Sequence, residues 1–153
     1  MEIRAATRED LKAVRSLITE AGLPQDGLED QFESGYAVAV ESGRPVGVAA
    51  VERYAVYGLL RSVVTAADRR GRGIGESLVR DRLEWAERAG MESVYLLTTT
   101  AAGYFPRLGF AVVERAAVPP EIRASREFSS ACPSSAVVMR LVLSRSVQGE
   151  ARR

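Results

Sequence analysis

The feature that most narrows the fold lies between Val63 and Gly75, where V-V-T-A-A-D-R-R-G-R-G-I-G carries a β-branched strand into a helix through a turn rich in arginine and glycine. A strand that turns directly into a helix aims the first, unpaired helix N–H groups at whatever lies above the turn. The helix dipole favours negative charge at that point. Gly71, Gly73 and Gly75 take away the Cβ atoms that would hold a diphosphate off the backbone. Arg69, Arg70 and Arg72 add fork-shaped donors suited to phosphate oxygens. The bland alternative is a helix start with solvated arginines. The spacing is not the Rossmann signature, since the third glycine falls one position early, nor the P-loop signature, since no Gly-Lys-Ser/Thr follows, and both nucleotide folds are disfavoured.

At 153 residues, 46% of them hydrophobic, the chain is long enough for one domain with a core of its own and too short for two ordinary ones. The expected division is a single domain over residues 1–143 and a polar, frayed tail over 144–153. A net charge of +1 argues against a general nucleic-acid or membrane-surface role. No apolar run approaches the length of a membrane span and no signal pattern opens the chain, so a cytoplasmic protein is expected. The single cysteine, Cys132, excludes an intrachain disulfide and a multi-thiolate metal site, and no metal is expected. With no histidine, a Ser/His/Asp triad and a Cys/His pair are impossible. Proton transfer must then use carboxylate, phenol, amine, cysteine or water.

Local patterns predict an α+β arrangement. Glu2 to Ala6 reads as a strand, and Thr7 with Asp10 resembles a capping box opening a helix that ends near Gly22. A short helix is expected over Asp26 to Phe32. Strands follow at Tyr36 to Glu41, Pro45 to Tyr54 and Tyr57 to Thr65, forming an antiparallel meander. The helix from Gly73 to Ala89 gathers Ile74, Leu78, Val79, Leu83, Trp85 and Ala86 on one side. Arg82 is the lone charge on that side, expected to snorkel along its stem. Ser93 to Thr98 reads as a buried parallel strand joined by a right-handed crossover. Short helices are expected at Ala101 to Leu108 and Pro119 to Phe128, a strand from Gly109-Phe110 to Glu114, and a last strand at Ala136 to Leu143.

Arg70-Gly71-Arg72-Gly73-Ile74-Gly75 resembles the acetyl-CoA diphosphate loop of the GCN5-related N-acetyltransferases (GNAT), and Tyr104-Phe105-Pro106-Arg107-Leu108-Gly109-Phe110 resembles that family's second motif. The resemblance runs from Glu2 to Leu143. It implies a mixed, mostly antiparallel sheet splayed between its fourth and fifth strands, flanked by helices, with acetyl-CoA as the acetyl donor. It further implies that Val63, Val64 and Thr65 meet the pantetheine arm, while Arg70, Gly71, Arg72, Gly73, Ile74 and Gly75 hold the diphosphate. Two departures stand out: Ala67 replaces a usual proline, and Phe105 stands where many relatives place a tyrosine that protonates the departing thiolate. Tyr104 is adjacent and is the candidate acid, with a packed aromatic as the alternative. A thiol of pKa about 8.5 leaves tolerably without an acid.

Glu52 is the candidate base, against a solvated strand-edge carboxylate. If the fourth strand alternates regularly, Leu59, Arg61, Val63 and Thr65 share a face, with Ser62 on the other. Arg61 is then a charge in an apolar row, and a buried arginine needs an anion. Either Glu52 or an acceptor carboxylate would supply it. Ser62, Thr98, Thr99 and Thr100 offer hydroxyls near the splay. The acceptor amine can be weighed too. An α-amine of pKa about 7.7–8.0 costs about 1 kcal/mol to present neutral at pH 7, whereas a lysine amine costs about 4.6 kcal/mol. A small amino-acid-like acceptor follows.

Three strings, Gly58-Leu-Leu-Arg-Ser-Val-Val64, Tyr95-Leu-Leu-Thr-Thr-Thr-Ala101 and Glu127-Phe-Ser-Ser-Ala-Cys-Pro-Ser-Ser-Ala136, are similar to the arsenic-resistance N-acetyltransferase branch of the superfamily. That likeness implies an acceptor of the glutamate-like organoarsenical or phosphinic class. Cys132 alone cannot supply converging thiolates for arsenite and is expected to be a buried structural residue. The function expected is therefore direct acetyl transfer to a small-molecule amine, with no nucleic acid or membrane partner and a homodimer left open. Two alternatives stand: an acetyl-CoA-binding sensor with reduced turnover, and an amino-acid N-acetyltransferase of general metabolism.

Overall fold

Seven strands form one sheet in the computed structural model, which describes residues 1–99, 101–131 and 135–143. They are Glu2–Ala5 (β1), Tyr36–Glu41 (β2), Arg44–Tyr54 (β3), Tyr57–Thr65 (β4), Ser93–Thr98 (β5), Ala111–Val112 (β6) and Val137–Val142 (β7). The spatial order is β1-β2-β3-β4-β5-β7-β6, with the first four strands an antiparallel meander and β4 parallel to β5. β7 inserts antiparallel between β5 and β6. The α+β class and the crossover are as the sequence predicts. Ser42 and Gly43 make the β2–β3 turn with φ of 51° and 75°, the left-handed pair whose twist suits a two-residue hairpin.

Leu11–Glu20 (α1) lies on one face of the sheet. Its start is fixed by Asp10, which accepts the Thr7 N–H at 2.8 Å and takes both Arg4 guanidinium nitrogens at 2.8 and 3.1 Å. Arg4 thereby holds the Asp10 carboxyl below its ordinary range. Val14 and Ile18 of α1 pack with Phe32, Tyr36, Val48, Ala50 and Val64. Ile74–Arg88 (α3) covers the other face. Its Ile74 and Leu78 press on Ala37, Ala39, Val46 and Ala49, and its Val79 and Ala86 on Val51, Leu60, Val94 and Leu96. Burial of each large aliphatic is worth roughly 1.5–3 kcal/mol. That outweighs the ~1 kcal/mol forgone because no side chain caps the helix at Gly73.

The connections depart from expectation. Asp26 to Gln31 forms turns, and the helix begins only at Phe32, as Phe32–Gly35 (α2), because Gly27 at φ 75° interrupts regular winding. Gly35 is required by contact: a Cβ there would stand 2.3 Å from the Val51 carbonyl oxygen. Only Phe105–Leu108 of the Ala101 to Leu108 segment is helical, as a 3₁₀ turn containing Pro106. The strand expected to reach Glu114 stops at Val112. Pro120–Arg123 (α4) ends early where Ser125 Oγ accepts the Phe128 N–H at 3.2 Å, and a π-helical turn, Glu127–Ala131, follows. Arg82 does not snorkel. It is 5% exposed, with Nη1 donating to the Gly35 carbonyl at 3.1 Å and Nε to Asp81 at 3.0 Å. Thr100, Cys132 and the expected tail fall outside the described residues. Among the described residues no helix is long and apolar enough to cross a membrane.

Candidate active site

β4 and β5 pair only at Tyr57–Ser93, Gly58–Val94 and Leu59–Tyr95. Beyond Leu59 they separate, while β4 continues along β3 to Thr65 and β5 continues along β7 to Thr98. The cause lies in β4. Ser62 has φ 59°, and the β3–β4 register shifts between Val48 and Ala50, so Ser62 and Val63 together oppose Ala49. Such a bulge bends and twists the strand that carries it. It also resets the alternation: Val64, not Val63, packs on the α1 face, while Val63 packs with the α3 clusters. The predicted row of Leu59, Arg61, Val63 and Thr65 is therefore broken after Arg61. Ser62, expected on the opposite face, lies 3.3 Å from Arg61 Nε and 3.5 Å from the Tyr36 hydroxyl.

The divergence opens a cleft of about 920 Å³, near the upper end of the roughly 300–1,000 Å³ of small-molecule sites. Val63, Val64 and Thr65 form one wall and Leu96 to Thr99 the other. From Leu60 to Thr65 the β4 edge facing β5 is unpaired, a row of backbone donors and acceptors an extended ligand can join.

One end of the cleft is the glycine loop. Arg70, Gly71, Gly73, Ile74 and Gly75 all line it. Gly71 and Gly73 have φ of 82° and 79°, conformations that favour glycine, and an added Cβ at either would meet no atom within 4 Å, so the space above them is open. The first α3 bond runs from Ser77 N–H to Gly73 O at 3.1 Å, leaving the N–H groups of Ile74, Gly75 and Glu76 without an intrahelical acceptor. This backbone cradle fits a diphosphate. The arginines divide differently from expectation. Arg72 is absent from the cleft wall and pairs with Glu41 at 3.1 Å, as Arg69 does at 2.7 Å. Arg69 in turn lowers the Glu41 carboxyl below its ordinary range. Arg70 is exposed and donates from Nε to the Thr65 carbonyl at 3.3 Å.

The other end is a buried charge cluster. The Arg61 side chain is fully buried. It donates from Nη1 to the Asp26 carbonyl at 2.6 Å and to Glu52 at 3.3 Å, from Nη2 to the Pro24 carbonyl at 3.0 Å, and from Nε to Ser62 Oγ at 3.3 Å, and its Nε forms an ion pair with Glu127 at 3.2 Å. Arg61 thus takes the structural partner that the sequence left open, Glu52, and a second carboxylate that sequence reasoning missed. Glu52 also accepts the Tyr54 hydroxyl at 2.7 Å, is 1% exposed, and is not on the cleft wall. That placement sets it behind Arg61 rather than among the residues lining the cleft. Glu127, with Arg61 and Ser62, is on the wall. Burial raises both carboxyls, Glu127 to about 7. The phenol of Tyr36, buried beneath them, is pushed up to about 12.

Thr98 and Thr99 line the cleft, and Thr98 Oγ1 accepts the Ala101 N–H at 2.9 Å, which leaves its own hydroxyl proton to donate elsewhere. Tyr104 and Phe105 both line it as well, edge to face with ring centroids 5.1 Å apart. Phe105 is the more buried, inside the core formed with Phe110 and Met139, whereas Tyr104 is half-buried and burial raises its phenol.

A glycine cradle at a helix start, a free strand edge and a polar far end make a cleft suited to an extended ligand with an anionic end. The acetyltransferase (GNAT) family model matches residues 5–110, and the chain belongs to that family, whose members are acetyl-CoA-dependent N-acetyltransferases. No curated protein matches the chain. Among solved structures it is similar to Rv2747 from Mycobacterium tuberculosis in complex with CoA, at 23% identity and TM-score 0.79, covering 94% of this chain and 99% of that one. N-acetylglutamate synthase from Neisseria gonorrhoeae, complexed with coenzyme A and N-acetyl-glutamate, is 19% identical with TM-score 0.79, covering 93% of this chain and 35% of that one. The ribosomal-protein-S18-alanine N-acetyltransferase from Escherichia coli is 15% identical with TM-score 0.71, covering 93% of each. At these identities the likeness is one of fold.

Proposed function

We propose that this chain moves the acetyl group of acetyl-CoA to the amine of a small, amino-acid-like acceptor by direct attack, with no acetylated enzyme intermediate. The observation that carries this reading is the continuous free edge of β4, which runs from the glycine cradle at Thr65 to the charged pocket at Arg61. Those four residue steps span about 13 Å, so a donor anchored by its diphosphate lays its acyl end beside the polar cluster. Bound there, acetyl-CoA supplies an activated thioester carbonyl. The chain's own backbone N–H groups at the bulge polarise that carbonyl as negative charge develops on its oxygen. Tyr104 is the candidate proton donor to the departing thiolate.

Arg61 serves the acceptor end by holding it together, since its guanidinium is committed to two carboxylates and two carbonyls. Ser62, Thr98 and Thr99 are the candidate polar contacts for the acceptor. The amino-acid class is supported by the neighbour complexed with N-acetyl-glutamate. The strings similar to the arsenic-resistance branch favour glutamate-like arsinic and phosphinic amino acids within that class.

Calorimetry with acetyl-CoA, followed by thiol release across the amino acids and their phosphinic and arsinic analogues, tests the reading. Binding with amine-dependent release is expected, and Tyr104→Phe should lower kcat while leaving acetyl-CoA affinity unchanged. Binding without release from any amine would instead identify a sensor, the reading that Phe105 at the usual tyrosine position favours.

A further inference from the structure

We propose that Glu127 is the catalytic base, taking the proton from the acceptor's α-ammonium, and that this restricts acceptors to amines of low basicity. The inference rests on the transferase reading and deepens it. Two carboxylates share Arg61, but only Glu127 reaches the cleft; Glu52 sits behind the guanidinium. Their partners also differ. The Tyr54 hydroxyl at 2.7 Å supports the Glu52 anion together with Arg61, whereas the Glu127 anion is favoured by Arg61.

The charged groups that bear on Glu127 among the described residues fit that division. Arg61 on β4 favours its ionised form, while Glu52 on β3 and Asp26 in the α1–α2 loop disfavour it, and Tyr36 on β2 lies within reach as a neutral phenol. With Arg61 cationic and Glu52 ionised, the cluster is neutral when Glu127 holds a proton and carries one negative charge when it does not. Ionised Glu127 therefore attracts an incoming ammonium and accepts its proton. The freed amine attacks the thioester carbonyl, a C–N bond forms, the C–S bond breaks, and the thiolate leaves with a proton from Tyr104 or water. The nitrogen's remaining surplus proton passes to solvent.

A base that titrates near neutrality is close to the optimum for this task. An α-ammonium of pKa about 7.7–8.0 hands over its proton at about a tenfold disadvantage, against more than a thousandfold for a lysine ammonium at about 10.4. The site therefore discriminates by basicity before any contact with the acceptor's side chain.

The test uses the full chain, acetyl-CoA and the fastest amine of the amino-acid panel. Glu127→Gln should lower kcat by at least about a hundredfold, keep acetyl-CoA affinity within about twofold, and abolish the inflection near neutrality in the pH profile; Glu127→Asp should recover part of the rate. A Glu127→Gln protein within about threefold of wild type, or one that keeps the inflection, overturns the assignment. A second readout needs no turnover. Infrared difference spectra of wild type between about pH 6 and about pH 8 should show a carboxyl band that Glu127→Gln removes, and absence of that band also overturns it. A wild-type protein that shows the band but turns over no amine defeats the transferase reading while leaving the titration of Glu127 established.

Discussion

The two ends of the cleft are built from opposite materials. At the loop end the binding groups are backbone N–H donors made available by glycines within one short stretch, and two of the nearby arginines, Arg69 on the cleft wall and Arg72 off it, are paired with Glu41. At the far end the groups are buried side chains, with Arg61 drawing together the Pro24 to Asp26 loop, β3 and the π-helical turn. A backbone cradle needs little desolvation and tolerates exposure, so it suits a ligand whose own charge is permanent. A buried triad sets protonation states, which is what a reacting amine requires. The contrast predicts that substitutions at the far end chiefly change folding and the pH response near neutrality, whereas those at the loop end chiefly change affinity.

The largest expected effect comes from Arg61→Met. It leaves two buried carboxyls facing each other and two loop carbonyls without their donor, so urea unfolding at about pH 8 should show a loss of about 3–5 kcal/mol. Adding Glu52→Gln and Glu127→Gln to that variant should recover much of the loss, because replacing a whole buried ion cluster is often close to neutral. A single variant as stable as wild type would mean that the far end is not held by charge.

Proton linkage sharpens the same comparison, because the two ends carry shifts of opposite sign. Glu127 is raised by burial from 4.5 to about 7, so the stability it contributes is fully present below its unfolded pKa and is lost as pH rises through about 7. Glu41 at the loop end is lowered chiefly by Arg69, so its contribution is present above its unfolded value and is lost as pH falls through the folded one. The stability difference between wild type and Glu127→Gln should therefore change by on the order of 3 kcal/mol between about pH 5 and about pH 8. Wild type should lose stability relative to the variant as pH rises. A flat difference curve would remove Glu127 from any special environment.

The loop end was legible in the sequence because everything it needs lies within Val63 to Gly75, where strand, turn and helix signals abut. The meander, α3 and the parallel β5 were legible for the same local reason. The far end was not. Its members come from positions 24–26, 52, 61 and 127, and no periodicity links them. Alternation along β4 misplaced Val63, Thr65 and Ser62 because a left-handed serine carries no propensity signal, and the bulge it makes shifts every later side chain. Arg61 announced that an anion must be near, yet only the folded chain shows two, the nearer to the cleft being Glu127. That residue had appeared in the sequence only within a family-like string. In the helix expected over Pro119 to Phe128 it stands four residues after Arg123, the spacing of an ordinary surface ion pair, so nothing local marked it out.

Gly73→Ala is the next test in size. Its φ of 79° is strained for alanine, and the new methyl projects into open space, so no clash disturbs the core. Acetyl-CoA Kd should rise about tenfold by calorimetry, equivalent to about 1.4 kcal/mol. The melting temperature should fall only slightly and the pH profile should keep its inflection. A variant that instead lost the inflection would show that the two ends are coupled rather than separately built.

The smallest effect separates the arginines of the loop from one another. Arg70 is on the cleft wall and donates to the Thr65 carbonyl at 3.3 Å, whereas Arg72 points away to Glu41. Arg70→Ala should raise acetyl-CoA Kd by about threefold to tenfold and flatten its dependence on salt, since an exposed cation acts on the diphosphate through solvent that a Debye length of about 10 Å at 0.1 M already screens. Arg72→Ala should change Kd by less than about twofold, because the exposed pair it breaks is worth at most about 1 kcal/mol. If the two substitutions prove equal, Arg72 must leave Glu41 when the donor binds, and the loop end would owe its grip to mobile side chains as much as to its glycines.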